Sequence, residues 1–449
     1  MSASEFELPA EEFERLAALA AESITEHWRT HVAGRAFAKV GPDGARFEEP
    51  LPEEGEPLES ILAFVRERVL PHPYGNSHPR FFAFINPTAD PVGVIGDFLA
   101  SALNPNCWGG DHAATHVEER VLRWLADIVG YPPSSEGLLV SGGSMANFTA
   151  LAAARRAMAP GDVRETGLAG LERAMVVYAS DQTHVCVDKA VDLLGLGLRH
   201  LRKIPSDERF RLRMDLLAEA VERDRRAGLA PAIVVGNAGS VNTGSIDPLG
   251  AIADFCAREG LWFHADGAYG AMAAVSPRLR EALAGLERAD SIAADPHKWL
   301  YVPYEAGAVL VRERGRLAAA FRKVPEYLPA AAPSPFEGPA WFNERGIELS
   351  RGFKALKVWM GLKHHGRRGY AAAVERDVAL ARFLADELDR RPAFERLSEP
   401  VLSIVNFRYR GARPADEAAL ERVNRAISDR LLGEGTFFLV PTEIGIAHV

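Results

Sequence analysis

The sequence predicts an α/β protein in which a mostly parallel sheet is flanked by helices. Two observations support this class. From about residue 87 to residue 312, short apolar stretches alternate with helical ones, as they do in proteins with parallel sheets. The chain also has 449 residues, more than one hydrophobic core usually serves, so we expect two or three domains.

Each predicted element follows from a local pattern. An amphipathic helix should follow Pro9, because Phe13, Leu16 and Ile24 recur at helical spacing, and a second helix is expected near residues 58–70. The predicted strands are short apolar runs, at residues 137–140, 175–178, 232–236, 261–265, 291–294 and 306–311. After a helix from about residue 350, we expect helices at 372–389 and 415–432 and strands at 401–409 and 436–440.

These elements predict three parts: an N-terminal helical arm (1–86), a large α/β domain (87–345) and a small C-terminal α+β domain (346–449). Within the large domain, residues 325–343 are rich in proline and small residues, which disfavour regular structure. We therefore predict a long loop there. Long loops in compact enzymes often act as lids.

Composition limits the class of partner. The formal net charge is −9 and no basic stripe appears, so we expect neither a nucleic acid nor a membrane as partner. Cys107, Cys186 and Cys256 lack metal-ligand spacing and cannot all pair, which fits a reducing cytosol and predicts no metal site. The acidic N-terminus lacks the apolar core of a signal peptide, and no apolar run approaches the ~18 residues of a membrane span. We expect a soluble cytoplasmic protein.

The motif DPHKW at residues 295–299 presents a lysine, Lys298, as a chemical nucleophile. It follows a predicted strand, and Pro296 disfavours helix continuation, so Lys298 is expected on a loop leaving that strand. A lysine beside aromatic and imidazole groups can lose its proton and form a Schiff base with an aldehyde cofactor. The alternative is an ordinary surface lysine before a tryptophan.

A second motif is a glycine turn between a predicted strand and a helix, with Ser144 near the start of the helix. The unpaired N–H groups and positive dipole end of such a helix favour a phosphate. The sequence is not a P-loop, because the GK[ST] ending is absent. The alternative is a strand-to-helix turn whose glycines serve tight packing.

Two further residues follow predicted strands. Asp266 lies at the carboxyl end of a buried strand, where a carboxylate can keep a pyridine nitrogen protonated, although a strand-end aspartate is more commonly a helix cap. His184 lies in the turn after another strand, where an imidazole can lie on a cofactor ring and touch a reacting carboxylate. A histidine at such a place is also often a cap or a packing residue.

Taken together, the motifs GGSMAN, SDQTHVCVDKA, NAGSVNTGSIDPL, HADGAYGA and DPHKW resemble, in this order, the group II pyridoxal-5′-phosphate decarboxylases. This is the family of aromatic-L-amino-acid decarboxylase. The resemblance extends from about residue 78 to residue 359. It implies a fold type I pyridoxal-phosphate transferase-like architecture. It also implies a homodimer with the active site at its interface, in which the N-terminal arm packs across the twofold axis.

The resemblance also implies roles for individual residues. Lys298 would carry pyridoxal 5′-phosphate, Asp266 would protonate its ring nitrogen, and His184 would cover the ring and assist loss of the carboxylate of an L-amino acid. Other cofactor-binding positions would be Ser144, Met145, Ala146, Asn147, Ser240, Ala268 and His297. Phe81 and Trp108 fall in segments that line the side-chain pocket of relatives, which favours an aromatic substrate, although aromatic residues at such spacing are more often core.

The sequence departs from the family pattern at two places. Better-known members carry a loop tyrosine where alignment from the helix near residue 351 places Phe342, and phenylalanine cannot donate a proton. In the family this change accompanies aldehyde synthases; alternatively the alignment is shifted by a residue or two, or Tyr327, His184 or water donates. The family also usually continues through another strand and a helix after residue 449, so we expect an incomplete small domain.

We therefore predict decarboxylation of an L-amino acid, aromatic by preference, to an amine and carbon dioxide. The alternatives are oxidative decarboxylation to an aldehyde and decarboxylation of an acidic amino acid. Another pyridoxal-phosphate class, such as a sphingosine-phosphate-type lyase or a glutamate decarboxylase, would keep the lysine and the aspartate. A non-catalytic interaction protein is disfavoured because Lys298, Asp266 and His184 are all present.

Overall fold

The computed structural model describes residues 8–41, 47, 50–323, 338–411, 416–444 and 447–448. Residues 324–337, which include most of the predicted long loop and Tyr327, lie outside this part of the chain. The chain forms two compact units, one of Met1–Thr88 with Ala415–Val449 and one of Ala89–Pro414. This grouping differs from the predicted arm, large domain and small domain, whose bounds stay a prediction.

The helices range in length from one turn to the 35 residues of the longest. A π-helical turn, Val65–Val69, continues the second of them, and Gly366 interrupts the longest with φ 64° and ψ 171°. The helices are α1 (Ala10–His31), α2 (Leu58–Phe64), α3 (Pro91–Leu103), α4 (Ala113–Val129), α5 (Gly143–Met158), α6 (Val163–Thr166), α7 (Val185–Leu193), α8 (Met214–Arg226), α9 (Leu249–Glu259), α10 (Pro277–Ala282), α11 (Pro296–Trp299), α12 (Arg316–Phe321), α13 (Ala355–Asp389) and α14 (Glu417–Glu434).

Most of the strands lie between helices along the chain. They are β1 (Glu136–Val140), β2 (Met175–Ser180), β3 (Leu201–Ile204), β4 (Ala230–Asn237), β5 (Trp262–Gly267), β6 (Ser291–Ala294), β7 (Gly307–Val311), β8 (Phe394–Arg396), β9 (Phe407–Tyr409), β10 (Glu443–Ile444) and β11 (Ala447–His448).

The unit of Ala89–Pro414 is built on a seven-stranded sheet with the order β1-β7-β6-β5-β4-β2-β3. Strand β7 pairs antiparallel with both β1 and β6, and the remaining pairs are parallel. Every residue of β1, β2, β5, β6 and β7 is buried, which explains their nearly continuous apolar sequences. The predicted mostly parallel sheet flanked by helices is confirmed.

The sequence analysis missed or misplaced some strands. Strand β3 was not predicted. Of the predicted strand 401–409, only Phe407–Tyr409 is a strand, and it pairs antiparallel with Phe394–Arg396. The predicted strand 436–440 is wrong in the same way, because only Phe438 forms a bridge there, to Phe81. The predicted helices from about 350 and at 372–389 form one element, α13, broken at Gly366.

In the unit of Met1–Thr88 with Ala415–Val449, aromatic rings pack around Phe438. The ring centroid of Phe81 lies 4.9 Å from that of Phe438, and the ring of Phe37 lies 5.3 Å from it. Backbone bonds join the same segments, since Phe82 N donates to Phe438 O at 2.8 Å. The segment around Phe81 is therefore held by residues from the far end of the chain.

None of the helices in the described part of the chain combines the length and the apolar character needed to cross a lipid bilayer.

Candidate active site

Four strands bring the predicted functional residues to one edge of the sheet. Strand β1 runs in the same direction as β6, because β7 lies antiparallel between them. The carboxyl ends of β1, β2, β5 and β6 therefore face the same way. Gly142, His184 and Lys298 follow β1, β2 and β6 respectively, and Asp266 lies at the carboxyl end of β5 itself. Ligands of α/β proteins bind at this edge.

Lys298 lies in the one-turn helix α11 rather than on a loop, so that part of the prediction is wrong. Pro296 occupies the first position of the helix, where the missing N–H removes no hydrogen bond. The side chain of Lys298 is 21% exposed, and its Nζ lies 3.0 Å from Oδ2 of Asp295. The lysine amine is thus partly accessible and held by a carboxylate.

Asp295 is a buried acid that the sequence analysis quoted only as part of a motif. Its side chain is 2% exposed, and its Oδ2 lies 3.5 Å from Nε2 of His297 as well as near Lys298. Its Oδ1 is buried and has no hydrogen-bond partner among the described residues. The spacing of three residues between an acid and a lysine was the signal that could have revealed this pair.

His297 is fixed by its surroundings. Its Nδ1 accepts a hydrogen bond from the backbone N–H of Ala306 at 3.2 Å, so the neutral ring carries its proton on Nε2, on the side of Asp295. Its ring also lies 4.5 Å from that of Tyr304. Burial lowers the pKa of His297, and the charge of Asp295 partly opposes this.

Helix α5 starts at Gly143, as predicted, and its first N–H groups point out of the helix without intrahelical partners. A Cβ on Gly143 would lie 2.7 Å from Cβ of Ala268 and 2.9 Å from Oδ2 of Asp295. A Cβ on Gly307, at the start of β7, would lie 2.4 Å from Cα of Gly142. The turn is therefore closely packed on three sides and requires glycine.

The four residues of α5 that were predicted to bind the cofactor differ in exposure. Ser144 is exposed and Met145 is partly exposed, whereas Ala146 and Asn147 are fully buried. The Asn147 amide donates to Gly143 O at 2.8 Å, and its Oδ1 lies 2.7 Å from Nε2 of His264. Both side chains are therefore enclosed by protein, and their contact with a cofactor stays a prediction.

His264 completes a buried hydrogen-bond chain that the sequence analysis missed. Since the Asn147 amide nitrogen donates to Gly143, its oxygen accepts from His264, which fixes the proton on Nε2. Nδ1 of His264 then accepts from Ser291 Oγ at 2.9 Å, and Ser291 Oγ accepts from Trp262 Nε1 at 2.9 Å. Burial lowers the pKa of His264 to about 4, so the ring is neutral at pH 7.

Asp266 and His184 share a neighbour, Cys186. The Asp266 carboxylate accepts from the backbone N–H of Ala268 at 3.2 Å and lies 4.0 Å from the Cys186 thiol. His184 is the N-cap of α7, and its Nδ1 accepts from Cys186 N at 3.2 Å. Burial lowers the pKa of His184, while the nearby charge of Asp266 opposes that change. The capping role considered for His184 therefore holds, and its ring also lies in the field of Asp266.

Ser240 lies in a buried, hydrogen-bonded loop. Its hydroxyl is buried and lies 2.8 Å from both Thr243 Oγ1 and Ser245 Oγ. Its backbone N–H donates to Ser245 O at 2.8 Å. These contacts close the loop of Ser240, and its place at the cofactor edge stays a prediction.

Phe342 does not lie in an open loop at the site. It begins the 3₁₀ turn Phe342–Glu344 and is fully buried, with the guanidinium carbons of Arg345 and Arg351 each 5.1 Å from its ring centre. Arg351 in turn makes a buried bidentate pair with Glu118, at 2.6 and 3.1 Å. Phe342 is therefore enclosed by protein, and its correspondence to the catalytic loop residue of relatives stays a prediction.

The two predicted substrate residues belong to different units. Trp108 is half-buried in the unit of Ala89–Pro414, and its ring lies 5.3 Å from that of Trp341 in an edge-on arrangement. Phe81 is half-buried in the other unit, against Tyr74 and Phe438. Each therefore has an aromatic partner within its own unit.

Comparison with known proteins identifies the family of the chain. A family model described as the pyridoxal-dependent decarboxylase conserved domain matches residues 43–410. The chain belongs to this family. The decarboxylase is 37% identical over 443 residues to the aromatic-L-amino-acid decarboxylase of Bacillus atrophaeus, which covers 98% of this chain and 90% of that relative. It is 31% identical over 402 residues to the acidic amino acid decarboxylase of Homo sapiens, covering 86% and 75% of the two chains.

A solved structure shows the same architecture. The crystal structure of Oryza sativa TDC with PLP and tryptamine superposes with a TM-score of 0.90 at 28% identity, covering 99% of this chain and 94% of that one. The predicted fold type I architecture, the family and the enzyme class, an amino-acid decarboxylase, are therefore confirmed.

The cofactor of the decarboxylase is pyridoxal 5′-phosphate, and the residues present fit it. A primary amine (Lys298), a buried acid (Asp266) and a glycine-bounded helix N-terminus meet the aldehyde, ring-nitrogen and phosphate chemistry of this molecule. The unpartnered Oδ1 of Asp295 also indicates a buried polar site that is completed by a bound group.

Proposed function

We propose that the decarboxylase converts an aromatic L-amino acid to the corresponding amine and carbon dioxide. Its main support is that Lys298, Asp266 and His184 all lie at the carboxyl ends of parallel strands, β6, β5 and β2. The aromatic preference is supported by the 37% identity to an aromatic-L-amino-acid decarboxylase across nearly the whole chain. The paired rings of Trp108 and Trp341 offer an apolar surface of the kind that aromatic side chains contact.

Lys298 is proposed as the residue that binds the cofactor covalently. Its amine is partly exposed beside Asp295, whereas amines of buried structural lysines are usually enclosed by their partners. When bound, pyridoxal 5′-phosphate supplies an electron-withdrawing ring that takes up the electron pair left by the departing carboxylate. His297, beside the same acid, is proposed to contact the phosphate or the lysine nitrogen.

Asp266 is proposed to hold the ring nitrogen of the cofactor in its protonated form. The backbone N–H of Ala268 and the Cys186 thiol orient the carboxylate, which is 7% exposed. A carboxylate with a fixed orientation at a buried site stabilises an adjacent cation more strongly than one in water. Ala268 itself packs against Gly143 and is proposed to lie beneath the ring.

His184 is proposed to cover the cofactor ring and to orient the substrate carboxylate. Because its Nδ1 accepts from Cys186 N, the neutral ring carries its proton on Nε2. Burial lowers its pKa, so the ring is neutral near pH 7 and can donate from Nε2 without repelling a protonated amine. Gly143, Ser144 and Met145 are proposed to bind the phosphate through their backbone N–H groups.

The product is proposed to be the amine rather than the aldehyde. The aldehyde is expected only if Phe342 stands in place of a proton donor at the site, whereas Phe342 is fully buried beside Arg345 and Arg351, which favours the amine. The last step needs a proton at the former carboxylate position. Tyr327 and His184 are the proposed donors, and Tyr327 lies outside the described residues.

We propose in addition that the decarboxylase is a cytoplasmic homodimer with its active site at the dimer interface. Helix α3 exposes Ile95, Phe98, Leu99 and Leu103, an apolar face that a second copy would cover. The three cysteines are free and buried, which agrees with a reducing compartment. Light scattering of the cofactor-loaded protein tests the dimer, and a monomeric mass at micromolar concentration would reject it.

A substrate panel tests the proposed function. The protein loaded with pyridoxal 5′-phosphate is incubated separately with tryptophan, phenylalanine, tyrosine, glutamate and cysteine sulfinate, and carbon dioxide, amine, aldehyde and hydrogen peroxide are measured. We expect carbon dioxide and amine in equal amounts from an aromatic substrate. Turnover of the acidic substrates alone would reject the aromatic preference. Aldehyde with peroxide would reject the simple decarboxylation.

A further inference from the structure

We propose that Asp295 is a positioning residue that orients the amine of Lys298 and accepts its proton when that amine bonds to the cofactor aldehyde. An aspartate at this position could instead serve only to cap helix α11. The hydrogen bonds and distances around Asp295 distinguish these two roles.

Asp295 stands at the N-cap position of α11, where an aspartate normally accepts hydrogen bonds from the backbone N–H groups of the first turn. Its side chain makes no such bond. Its Oδ2 instead lies 3.0 Å from Nζ of Lys298, one turn further along. The Asp295 side chain therefore contacts the amine of Lys298 and does not cap the helix.

The burial of this carboxylate makes the contact significant. The Asp295 side chain is 2% exposed, so its charge lacks solvent and must be balanced by protein groups. The nearest cationic partner is Lys298, with the imidazole Nε2 of His297 at 3.5 Å. A lysine side chain has several rotatable bonds, and a fixed carboxylate limits the directions in which its amine points.

The second oxygen of Asp295 gives independent support. Oδ1 is buried without a partner among the described residues, which is costly unless a group binds there in the working protein. The carboxylate also borders helix α5, since Oδ2 is 2.9 Å from the Cβ position of Gly143. The acid thus lies between the reactive lysine and the proposed phosphate site.

The proposed step balances as follows. The ammonium group of Lys298 gives one proton to Oδ2 of Asp295, and the free amine forms a bond to the aldehyde carbon. The aldehyde oxygen leaves as water, and the proton held by Asp295 returns to the new C=N linkage. No oxidant or reductant is needed, and Asp295 ends in its starting state.

The inference depends on the proposed role of Lys298, and the test is designed to separate the two. Apoprotein is mixed with pyridoxal 5′-phosphate, samples are reduced with borohydride at intervals, and the adduct is measured by intact mass and located by peptide mapping. Asp295→Asn keeps the size and removes the charge. We expect its rate of adduct formation to fall at least about tenfold, which corresponds to about 1.4 kcal/mol in the barrier.

Two controls distinguish this effect from a general defect. Asp188→Asn removes the charge from another aspartate–lysine pair, in which Asp188 Oδ2 lies 2.8 Å from Nζ of Lys203, and should load at the wild-type rate. Pyridoxine 5′-phosphate has no aldehyde to react with Lys298, so its affinity for Asp295→Asn should stay within about twofold of wild type. A large loss of that affinity would instead assign Asp295 to general binding and overturn the proposal.

Chemical rescue keeps the inference testable if Asp295→Asn is unstable. Asp295→Ala leaves space for a small carboxylate, and formate should accelerate its loading while leaving the wild-type rate unchanged. A purely structural residue would not respond to formate. Loading of Asp295→Asn at the wild-type rate, or failure of formate to accelerate Asp295→Ala, would overturn the role of Asp295. An adduct on a lysine other than Lys298 would overturn the proposed function instead.

Discussion

The buried imidazole of His264 predicts a specific loss of stability in mild acid. An ordinary histidine has a pKa of 6.5, and burial lowers that of His264 to about 4 in the folded chain. Between these values the unfolded chain binds a proton that the folded chain does not, so stability falls as the pH falls through this window. From pH 7 to pH 5, His264 alone should lower the free energy of unfolding by about 2 kcal/mol.

The variant His264→Gln isolates this contribution. Glutamine keeps a hydrogen-bond donor and an acceptor but does not titrate. Urea unfolding of the apoprotein, followed by tryptophan fluorescence at pH 7, 6 and 5 and one protein concentration, gives the pH dependence of each variant. The other titrating groups are present in both proteins, so the wild type should lose about 2 kcal/mol more than His264→Gln between pH 7 and pH 5.

A matched control is His364→Gln, which replaces an exposed histidine. Its unfolding free energy should follow the wild-type pH dependence. If wild type and His264→Gln instead changed in parallel, His264 would be protonated equally in both states. The hydrogen-bond chain from Trp262 through Ser291 to Asn147 would then be oriented differently from that deduced here.

Four further outcomes follow from the site and its supports. Lys298→Ala should show no borohydride-trapped adduct and no turnover, and normal turnover would refute its assignment. Gly143→Ala should weaken pyridoxal 5′-phosphate binding at least about tenfold in equilibrium dialysis, because its Cβ would lie 2.7 Å from that of Ala268; unchanged affinity would show that the turn can move. Arg351→Met should lower the free energy of unfolding by about 3–5 kcal/mol, because it leaves the fully buried Glu118 unpaired, and a loss below about 1 kcal/mol in urea unfolding would argue against that pair. Phe342→Tyr should destabilise the chain by about 1–3 kcal/mol and leave the amine-to-aldehyde ratio unchanged, because its hydroxyl would be buried; a higher amine yield would restore the loop alignment.

The sheet and the ends of its strands could be predicted because their signals are local. The run Ser291–Ala294 was predicted at its observed bounds, and the glycine turn predicted a helix with Ser144 near its start, where α5 begins. Buried parallel strands have continuous apolar sequences, and residues that follow them fall at one edge. The placement of Asp266, His184 and Lys298 at one edge of the sheet could therefore be predicted without knowledge of contacts between distant residues.

What failed depends on contacts between distant residues. Strand β3 is short and carries two basic residues, so it lacks an apolar pattern and forms only by pairing with β2. The orientation of Asn147 toward His264 is set by a residue more than a hundred positions away. The burial of Phe342 was not predicted either, because it depends on Arg351 and Arg345, whose guanidinium carbons lie over its ring.

The contact between Gly142 and Gly307 constrains the order in which the protein can fold. The turn before α5 is closed by the start of β7, which lies in the sheet between β1 and β6 although a long stretch of chain separates it from the turn. Such long-range pairings form slowly, because the entropy of closing a large loop must be overcome first. Until β7 has been synthesised, the turn before α5 lacks this contact, so we expect the proposed phosphate site, and with it uptake of the vitamin-derived coenzyme, to form late in folding.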